Sequence, residues 1–323
     1  MRIVISDDYQ DAVRGLDCFD RLVDQQVTIY HDTVRDIDTL AKRFQGAEAL
    51  VLIRERTPIT SDLLDRLPDL KLISQTGRGI AHIDLDACTR HGVAVAASGG
   101  SPYATAELTW GLILAAMRHI PYEVARLKSG HWQSTLGTGL HGRILGIFGY
   151  GNIGRLVASY GRAFGMEVVI WGRQSSLDHA ISDGFATAES QEELFRQSDV
   201  LSLHIKMSPE TRGIVRASDL ALMKPTALLV NTSRAGLIEP GALEQALRAG
   251  RPGLAAVDVY ESEPATEHPL LQMDNVVCTP HLGYVEKDSY EMYFSIAFDQ
   301  ILAYAAGQPE NILNPEVLKR SPT

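Results

Sequence analysis

The chain has 323 residues, of which 45% are hydrophobic and 22% charged, and its 40 acidic and 30 basic residues give a net charge of −10. This length favours two domains over one, and the acidic balance argues against nucleic acid as the main partner. The three cysteines show no CxxC or zinc spacing, and the early acidic residues do not resemble a secretory signal, so we expect a cytoplasmic protein. The most apolar run, LTWGLILAAM, is about half the ~20 residues that a membrane span needs.

Short β-type runs alternate with amphipathic segments along most of the chain, which is the pattern of parallel sheets wound by helices. The first half supplies five such runs, RIVISD, VTIYHD, ALVLIR, LKLISQTG and VAVAAS. A helical pattern and a polar, glycine-rich arm follow. The second half supplies ILGIFGYG, EVVIWG, DVLSLHI, ALLVNTS, LAAVDVY and NVVCTPH. The last helical segment has no later strand to pack against, so we expect it to return to the first unit.

The stretch GIFGYGNIGR contains the pattern G-x-G-x-x-G between a β-type run and a helical one. In this β-α-β context we expect a dinucleotide site rather than a structural glycine turn. Gly149 permits the tight turn, Gly151 lets the backbone approach a pyrophosphate, and Gly154 lets the helix pack on the strand. The amides of Asn152 and Ile153 would then point at an anion at the helix N-terminus.

These patterns predict an α/β fold with two doubly wound parallel-sheet domains. Residues 1–98 and 288–323 would form a flavodoxin-like substrate domain. A Rossmann dinucleotide-binding domain of residues 99–287 would be inserted in it, with a dimerisation arm at about 99–142.

The second strand of the dinucleotide unit lacks the acidic residue that usually binds the ribose of NAD. Gly172 stands at that place and is followed by Arg173, Gln174 and Ser175. Without the acid there is no repulsion against a 2′-phosphate, and arginine offers a planar fork of donors that matches phosphate. We therefore favour NADP over NAD. The alternative is a solvated Arg173 in an enzyme that uses NAD without the acid.

Three later motifs each end a strand of the second unit, where ligands of such sheets gather. They are NTSRAG, DVYESEP and TPHLGY, which supply Arg234, Glu263 and His281. With these motifs, nearly the whole chain resembles the D-isomer-specific 2-hydroxyacid dehydrogenase family. Its members include glyoxylate/hydroxypyruvate reductases, D-3-phosphoglycerate dehydrogenase and D-lactate dehydrogenase.

The resemblance implies that Arg234 binds the carboxylate and carbonyl oxygen of the substrate, that His281 is the acid/base, and that Glu263 pairs with it. The residue types suit these roles, because histidine can change charge near neutral pH and an adjacent carboxylate favours its protonated form. Taken singly, each residue also has a structural explanation: a satisfied loop histidine, a solvated turn acid and a sheet-end cation.

The same resemblance extends the predicted site. Asp258 resembles the residue that accepts a hydrogen bond from the nicotinamide carboxamide, and Thr232, Ser233 and Gly283 are further candidates for cofactor binding.

Two loops of the first unit resemble substrate-facing loops of the family. QTGRGIAHID makes Arg78 and Gly79 candidate substrate ligands, and RERT adds Arg54, although the latter could equally belong to a surface charge cluster. We predict no metal site, because the histidines form no ligand spacing.

The predicted function is reversible reduction of a small 2-keto acid to a D-2-hydroxy acid by NADPH or NADH, with glyoxylate or hydroxypyruvate favoured, in a homodimer. Oxidation of 3-phosphoglycerate or D-lactate is the alternative. A formate dehydrogenase is disfavoured, since its histidine would pair with glutamine rather than Glu263. The alternative from another class is an NAD(P)-sensing scaffold of corepressor type with little turnover.

Overall fold

The computed structural model describes residues 1–319, which form two compact units. The first consists of residues 1–101 and 286–319, and the second is Pro102–Val285. Each unit has its own parallel sheet, and the second is inserted in the first along the chain. This confirms the predicted fold class.

The first unit has a five-stranded sheet in the order β2-β1-β3-β4-β5, the flavodoxin-like arrangement. The strands are β1 (Arg2–Ile5), β2 (Gln26–Ile29), β3 (Ala49–Leu52), β4 (Leu72–Thr76) and β5 (Ala94–Ser98), and the helices between them are α1 (Ile37–Phe44), α2 (Ser61–Leu64) and α3 (Leu85–Arg90). Every residue of β3 and β4 is buried, as expected for strands covered on both faces. The helices begin at Asp36, Thr60 and Asp84, whose side chains accept backbone N–H groups of the first turn.

The second unit has a seven-stranded sheet in the order β12-β11-β10-β9-β6-β7-β8. Its strands are β6 (Ile144–Phe148), β7 (Glu167–Trp171), β8 (Ala186–Thr187), β9 (Val200–Leu203), β10 (Leu228–Asn231), β11 (Leu254–Val257) and β12 (Val276–Cys278). Its helices are α4 (Pro102–Met117), α5 (Ile120–Lys128), α6 (Asn152–Ala163), α7 (Gln174–Ser182), α8 (Gln191–Gln197), α9 (Ala217–Leu222) and α10 (Ala242–Arg248). The chain runs outward from β6 in both directions, which is the Rossmann arrangement.

Two apolar cores cover the two faces of this sheet. On one face, α4 packs against α6, and the indole of Trp110 contacts the rings of Tyr160 and Phe164 at centroid distances of 6.3 and 4.9 Å. This packing fixes the direction of α6 and thereby the glycine-rich loop that precedes it.

The last helix, α11 (Lys287–Ala305), packs against β4 of the first unit. The single hydroxyl hydrogen of Ser74 in β4 is shared between two acceptors, the carbonyl oxygen of Ala297 at 3.2 Å and Oε1 of Gln300 at 2.7 Å from Oγ. A helix far along the chain therefore completes the core around the first sheet.

Some element boundaries differ from the sequence-based predictions. Within the β-type run ILGIFGYG, β6 ends at Phe148, because Gly149, the glycine predicted to make the tight turn, turns the chain at a φ of +98°. The two-residue strand β8 was not predicted, since neither of its side chains is fully buried and it carries no hydrophobic pattern. Within residues 1–319, every helix is too short or too polar to cross a membrane.

Candidate active site

The glycine-rich loop connects β6 to α6, and close packing requires two of its glycines. A Cβ on Gly149 would lie 2.6 Å from the carbonyl oxygen of His204, and one on Gly154 would overlap the carbonyl oxygen of Gly149. Nothing among the described residues lies within 4 Å of where a Cβ on Gly151 would be. The loop is therefore tight where strand and helix meet, and it leaves open space where a pyrophosphate is expected to approach.

The first turn of α6 offers backbone donors beside this space. The helix has 12 residues and begins after Gly151, which has no side chain to accept the N–H groups of Asn152, Ile153 and the residues that follow. Such orphan donors, at the positive end of a helix dipole, bind anions. The structure therefore suits the phosphates of a dinucleotide at this loop.

At the end of β7, Gly172 leads into α7 and no acidic side chain takes the usual ribose position. Arg173, Gln174 and Ser175 are exposed, and Gln174 donates from Nε2 to Oδ1 of Asp178 at 2.8 Å. Within residues 1–319, the guanidinium of Arg173 has no hydrogen-bond or ion-pair partner. This cation is available to a ligand at the carboxyl end of β7.

The NTSRAG turn follows β10 and is folded by its own asparagine. The side chain of Asn231 accepts the N–H of Ser233 and donates to the carbonyl oxygen of Arg234, both at 3.0 Å. The turn places Arg234 just after the carboxyl end of the strand, where its Nη1 donates to the carbonyl oxygen of Ser233 at 2.7 Å.

The two hydroxyl groups of this turn already bind protein atoms. Ser233 donates from Oγ to the carbonyl oxygen of Leu203 at 2.7 Å, and Thr232 shares a hydrogen bond of 2.7 Å with Thr109 of α4. These bonds fix the turn to β9 and α4. A cofactor that contacts Thr232 or Ser233 would therefore meet hydroxyl groups that are held in place.

Glu263 and His281, predicted from separate motifs, are in direct contact. Nδ1 of His281 lies 2.6 Å from Oε2 of Glu263, and the backbone N–H of Tyr260 donates to Oε1 of Glu263 at 3.0 Å. Because an ionised carboxylate can only accept, Nδ1 carries the hydrogen and Nε2 remains for another partner. His281 has a φ of +54°, a left-handed conformation that side-chain-bearing residues adopt rarely.

Asp258 holds the segment around His281 from the end of β11. The side chain is fully buried, and its carboxylate accepts the hydroxyl of Thr279 at 2.6 Å and the N–H groups of Leu282 at 2.7 Å and Gly283 at 2.8 Å. Burial raises the pKa of Asp258 above its ordinary value. The residue predicted to bind the nicotinamide also anchors the histidine segment, a role that sequence reasoning missed.

Gly283 lies between Asp258 and α4. Its carbonyl oxygen accepts the hydroxyl of Thr105 at 2.7 Å, and a Cβ on it would lie 3.2 Å from Oδ2 of Asp258. The close approach explains why glycine suits this position.

The first unit carries the remaining predicted residues near the carboxyl ends of β3 and β4. Arg54 has a φ of +58°, and its guanidinium lies over the ring of Tyr293, 5.6 Å from the centroid. Arg78 is exposed in the loop after β4, and Gly79 is close enough to Glu55 that an added Cβ would overlap the carboxylate.

His82 lies in the same loop and is one of the histidines whose spacing predicted no metal site. Its ring nitrogens are buried without a hydrogen-bond partner among the described residues, and burial lowers its pKa to about 4. The imidazole is therefore neutral at physiological pH and belongs to the packing of the loop that carries Arg78.

One cluster within residues 1–319 has the spacing of a cation site, namely Asp8, Asp11 and His31, whose ligand atoms lie within 4.8 Å of one another. The carboxylate of Asp8 already accepts the N–H groups of Ala12 and Val13 at 3.1 Å each. Turn capping explains its position, and we assign no metal here.

Known proteins resemble this chain both in the sequence of the second unit and in the fold of nearly the whole chain. The sequence profile described as "D-isomer specific 2-hydroxyacid dehydrogenase, NAD binding domain" matches residues 110–283. A crystal structure of an oxidoreductase from Ralstonia solanacearum is 55% identical, with a TM-score of 0.96 over 99% of this chain and 98% of that one. A fold match of this extent includes both parallel-sheet units.

Two curated relatives carry different names. The D-3-phosphoglycerate dehydrogenase of Methanocaldococcus jannaschii is 37% identical over 86% of this chain and 53% of its own length. The chain thus spans about half of that relative. The glyoxylate reductase of Aeropyrum pernix is 39% identical over 87% of both chains. Together with the profile match, these relatives confirm the resemblance seen in the motifs: the chain belongs to the D-isomer specific 2-hydroxyacid dehydrogenase family.

Proposed function

We propose that the protein reduces a small 2-keto acid to the D-2-hydroxy acid, reversibly, with a nicotinamide cofactor. The observation that carries the proposal is the hydrogen-bonded His281–Glu263 pair, 2.6 Å apart, in the unit that matches the NAD-binding domain. The pair follows β11 and β12, adjacent to the strand that precedes Arg234. Reduction of a keto acid needs a proton donor and a carboxylate ligand, and these three side chains supply both.

His281 is the proposed acid. With Nδ1 bound to Glu263, its protonated ring presents the Nε2 hydrogen to the keto oxygen and delivers it as the hydroxyl forms; in the reverse direction Nε2 takes that proton back. The carboxylate of Glu263 stabilises the imidazolium and fixes the ring orientation. The separate structural explanations of Glu263 and His281 are weaker, because the two side chains are bonded to each other. A solvated turn acid would not need this bond, and His281 adopts the left-handed conformation in making it.

Arg234 is the proposed ligand of the substrate carboxylate and of the carbonyl oxygen. A guanidinium can bind a carboxylate with two parallel hydrogen bonds, and it stabilises negative charge that develops on the carbonyl oxygen. We propose Arg54, Arg78 and the backbone of Gly79 for the rest of the substrate.

The residues that would hold the cofactor are those of the glycine-rich loop and of the three later motifs. The amides of Asn152 and Ile153 suit the pyrophosphate, with Gly149, Gly151 and Gly154 giving the backbone its close approach. Thr232, Ser233, Asp258 and Gly283 are the proposed residues for the nicotinamide end. When bound, the reduced nicotinamide supplies the hydride for the keto carbon.

We propose that NADPH is preferred over NADH. The support is Gly172 at the ribose position, followed by the exposed cation of Arg173 and the donors of Gln174 and Ser175. The alternative, a solvated Arg173 in an NAD enzyme, predicts catalytic efficiency that is equal with the two cofactors or better with NADH.

Glyoxylate or hydroxypyruvate is the proposed substrate. A relative matched over 87% of both chains, that of Aeropyrum pernix, is a glyoxylate reductase. A second candidate, 3-phosphoglycerate, is favoured by the name of the Methanocaldococcus relative and by the arginines of the first unit, which could bind a second anionic group. A D-lactate substrate is the remaining alternative.

A homodimer is proposed, with residues about 99–142 as the arm. This region exposes several large apolar side chains, including Trp132 at 77% and Leu136 at 95% of their surface. Exposed apolar groups concentrated in one segment mark interaction surfaces. Light scattering coupled to gel filtration tests the oligomeric state, and a monomer at all concentrations would contradict the dimer.

The free cysteines Cys18, Cys88 and Cys278 support a reducing compartment, and we propose the cytoplasm.

The decisive experiment follows cofactor absorbance with a panel of keto acids (glyoxylate, hydroxypyruvate, pyruvate, 3-phosphohydroxypyruvate) and each reduced cofactor. We expect oxidation of NADPH with glyoxylate or hydroxypyruvate. If no keto acid oxidises either cofactor although both bind, the protein is a nucleotide-sensing scaffold and the enzymatic proposal fails.

A further inference from the structure

The side chain of Tyr260 connects the two motifs that supply the acid–base pair. Tyr260 is two residues after Asp258 and three before Glu263. Its ring is buried in the apolar core on one face of the second unit's sheet, against the edge of the His268 ring at a centroid distance of 5.2 Å. Ring burial fixes where the hydroxyl can reach.

The hydroxyl of Tyr260 donates to the carbonyl oxygen of Thr279 at 3.0 Å. The same carbonyl oxygen accepts the backbone N–H of His281, also at 3.0 Å. The phenol thus binds the turn that brings the chain into the left-handed conformation of His281, whose φ is +54°. A sparsely populated backbone conformation persists where surrounding bonds hold it.

The backbone of Tyr260 binds the other partner of the pair. Its N–H donates to Oε1 of Glu263 at 3.0 Å, while Oε2 of the same carboxylate lies 2.6 Å from Nδ1 of His281. One residue therefore contacts Glu263 directly and contacts His281 through the carbonyl oxygen of Thr279. Asp258 also holds this segment, through the N–H groups of Leu282 and Gly283.

We propose that Tyr260 is a positioning residue for the reduction. Its phenol holds the turn before His281 by a hydrogen bond, so that Nδ1 of the imidazole stays bonded to Glu263 and Nε2 keeps the orientation in which it can donate to the substrate. This inference rests on the proposed function, because the phenol contributes to catalysis only if His281 is the acid. The structural alternative is a core tyrosine whose hydroxyl merely satisfies a buried carbonyl group.

The phenol can donate its hydrogen bond to Thr279 at every pH of an assay. Burial raises the pKa of Tyr260 well above its ordinary value, so the hydroxyl keeps its hydrogen and donates at every pH of an assay. Ionisation of Tyr260 therefore does not contribute to the pH dependence of the reduction rate. A change of this pH dependence in a Tyr260 variant is then an effect on His281 and Glu263.

Tyr260→Phe removes the hydroxyl and keeps the ring in the core. A lost neutral hydrogen bond of this kind changes a rate by about 3- to 10-fold when it holds the reactive geometry. We expect kcat to fall by that factor with KM and cofactor affinity within about twofold, and the pH profile of the reduction to change. Tyr30→Phe in the first unit is the matched control, because the hydroxyl of this half-buried tyrosine also donates to a backbone carbonyl oxygen, that of Arg43 at 3.3 Å, and it should leave all of these unchanged.

A second readout does not need turnover. A histidine N–H that donates to a carboxylate over 2.6 Å gives a proton resonance far downfield, which Glu263→Gln should abolish. We expect Tyr260→Phe to shift and broaden this resonance while Tyr30→Phe leaves it in place. Thermal unfolding and cofactor titration establish that each variant is folded. Should Tyr260→Phe not fold, Tyr260→Leu, which keeps an apolar side chain in the core but no hydroxyl, replaces it in both measurements.

The outcomes separate the two proposals. Wild-type rate, pH profile and downfield resonance in a folded Tyr260→Phe, with Glu263→Gln changing all three, would overturn the positioning role and leave the enzyme intact. No turnover by the wild-type protein would overturn the proposed function. If the resonance then still shifts in Tyr260→Phe, the phenol stabilises the contact between His281 and Glu263 but has no part in catalysis, and the positioning role is overturned as well.

Discussion

Nδ1 of His281 and Oε2 of Glu263 are 2.6 Å apart, although 18 residues separate them in the chain. The glutamate follows β11 and the histidine follows β12, and these strands are neighbours in the second sheet. Parallel strands deliver their carboxyl ends to one edge, so a carboxylate and an imidazole from different motifs meet there. The consequence of this contact for catalysis can be measured.

Replacement of the histidine tests the proposed acid. His281→Ala removes the proton donor, and we expect kcat to fall by about 10²-fold or more, the usual contribution of general acid–base catalysis. Initial rates at saturating keto acid measure the effect. His179→Ala, an exposed histidine on α7, is the control for the loss of an imidazole and should keep its rate. A loss of less than about tenfold in His281→Ala would show that the acid lies elsewhere.

The cation after Gly172 should determine cofactor choice. Arg173→Ala deletes a charge-assisted hydrogen bond to a 2′-phosphate, and we expect kcat/KM for NADPH to fall by about 10- to 150-fold while that for NADH changes little. The ratio of the two efficiencies is the measured quantity. Arg196→Ala, on α8, removes an exposed arginine that pairs with Glu193 and should leave the ratio unchanged. An unaltered ratio in Arg173→Ala would favour a solvated arginine.

The glycine in the first turn of α6 should tolerate no side chain. In Gly154→Ala the new Cβ would overlap the carbonyl oxygen of Gly149, so strand and helix must separate. We expect a loss of about 1–3 kcal/mol in the free energy of unfolding and a weaker dissociation constant for the cofactor, measured by urea denaturation and fluorescence titration. Gly15→Ala, at a glycine with free space within 4 Å among the described residues, should change neither. Equal stability of both variants would mean that the loop relaxes without cost.

A histidine with a buried ring nitrogen should make stability depend on pH. Burial lowers the pKa of His204 to about 3, against an ordinary value of 6.5, so the unfolded chain binds a proton that the folded protein does not. Stability contributed by the neutral ring is complete above pH 6.5 and is lost as the pH falls from there towards 3. The slope approaches about 1.4 kcal/mol per pH unit for this group.

Urea denaturation at several pH values between about 7 and 5 measures that slope. In His204→Gln the slope should be smaller by up to this amount, whereas His179→Gln should keep the wild-type slope. If His204→Gln follows the wild-type curve, the imidazole of His204 is protonated in the folded state and the burial argument is wrong.

Much of the fold could be predicted from the sequence because its signals are local. The apolar run before Gly149, the helical pattern after Gly154 and the next β-type run identify a β-α-β unit from adjacent residues. The later motifs are equally local, so the apolar residues just ahead of Arg234 and His281 were enough to assign both to strand ends. The resemblance that these motifs carry is confirmed by the match to the family.

What could not be predicted depends on contacts between distant segments. The phenol of Tyr260 reaches Thr279, and the carboxylate of Asp258 binds Leu282 and Gly283, bonds that no spacing rule indicates. An aromatic residue two positions after Asp258 was the available signal, yet an aromatic side chain beside a strand usually indicates core packing. His204 has the pattern of a polar residue at a strand end, and its burial beside the glycine-rich loop, where its carbonyl oxygen approaches Gly149, depends on segments that are distant in the chain.

The partnership of Ser74 with Ala297 and Gln300 has a consequence for synthesis. The serine is translated more than 220 residues before its partners, and the whole second unit is made in the interval. Unit two is contiguous and can complete its sheet as soon as Val285 leaves the ribosome, while β1–β5 wait with one face uncovered. Nascent chains arrested before α11 should accordingly expose to chaperones the face of the first sheet that this helix covers, and release from them should coincide with emergence of the final helix.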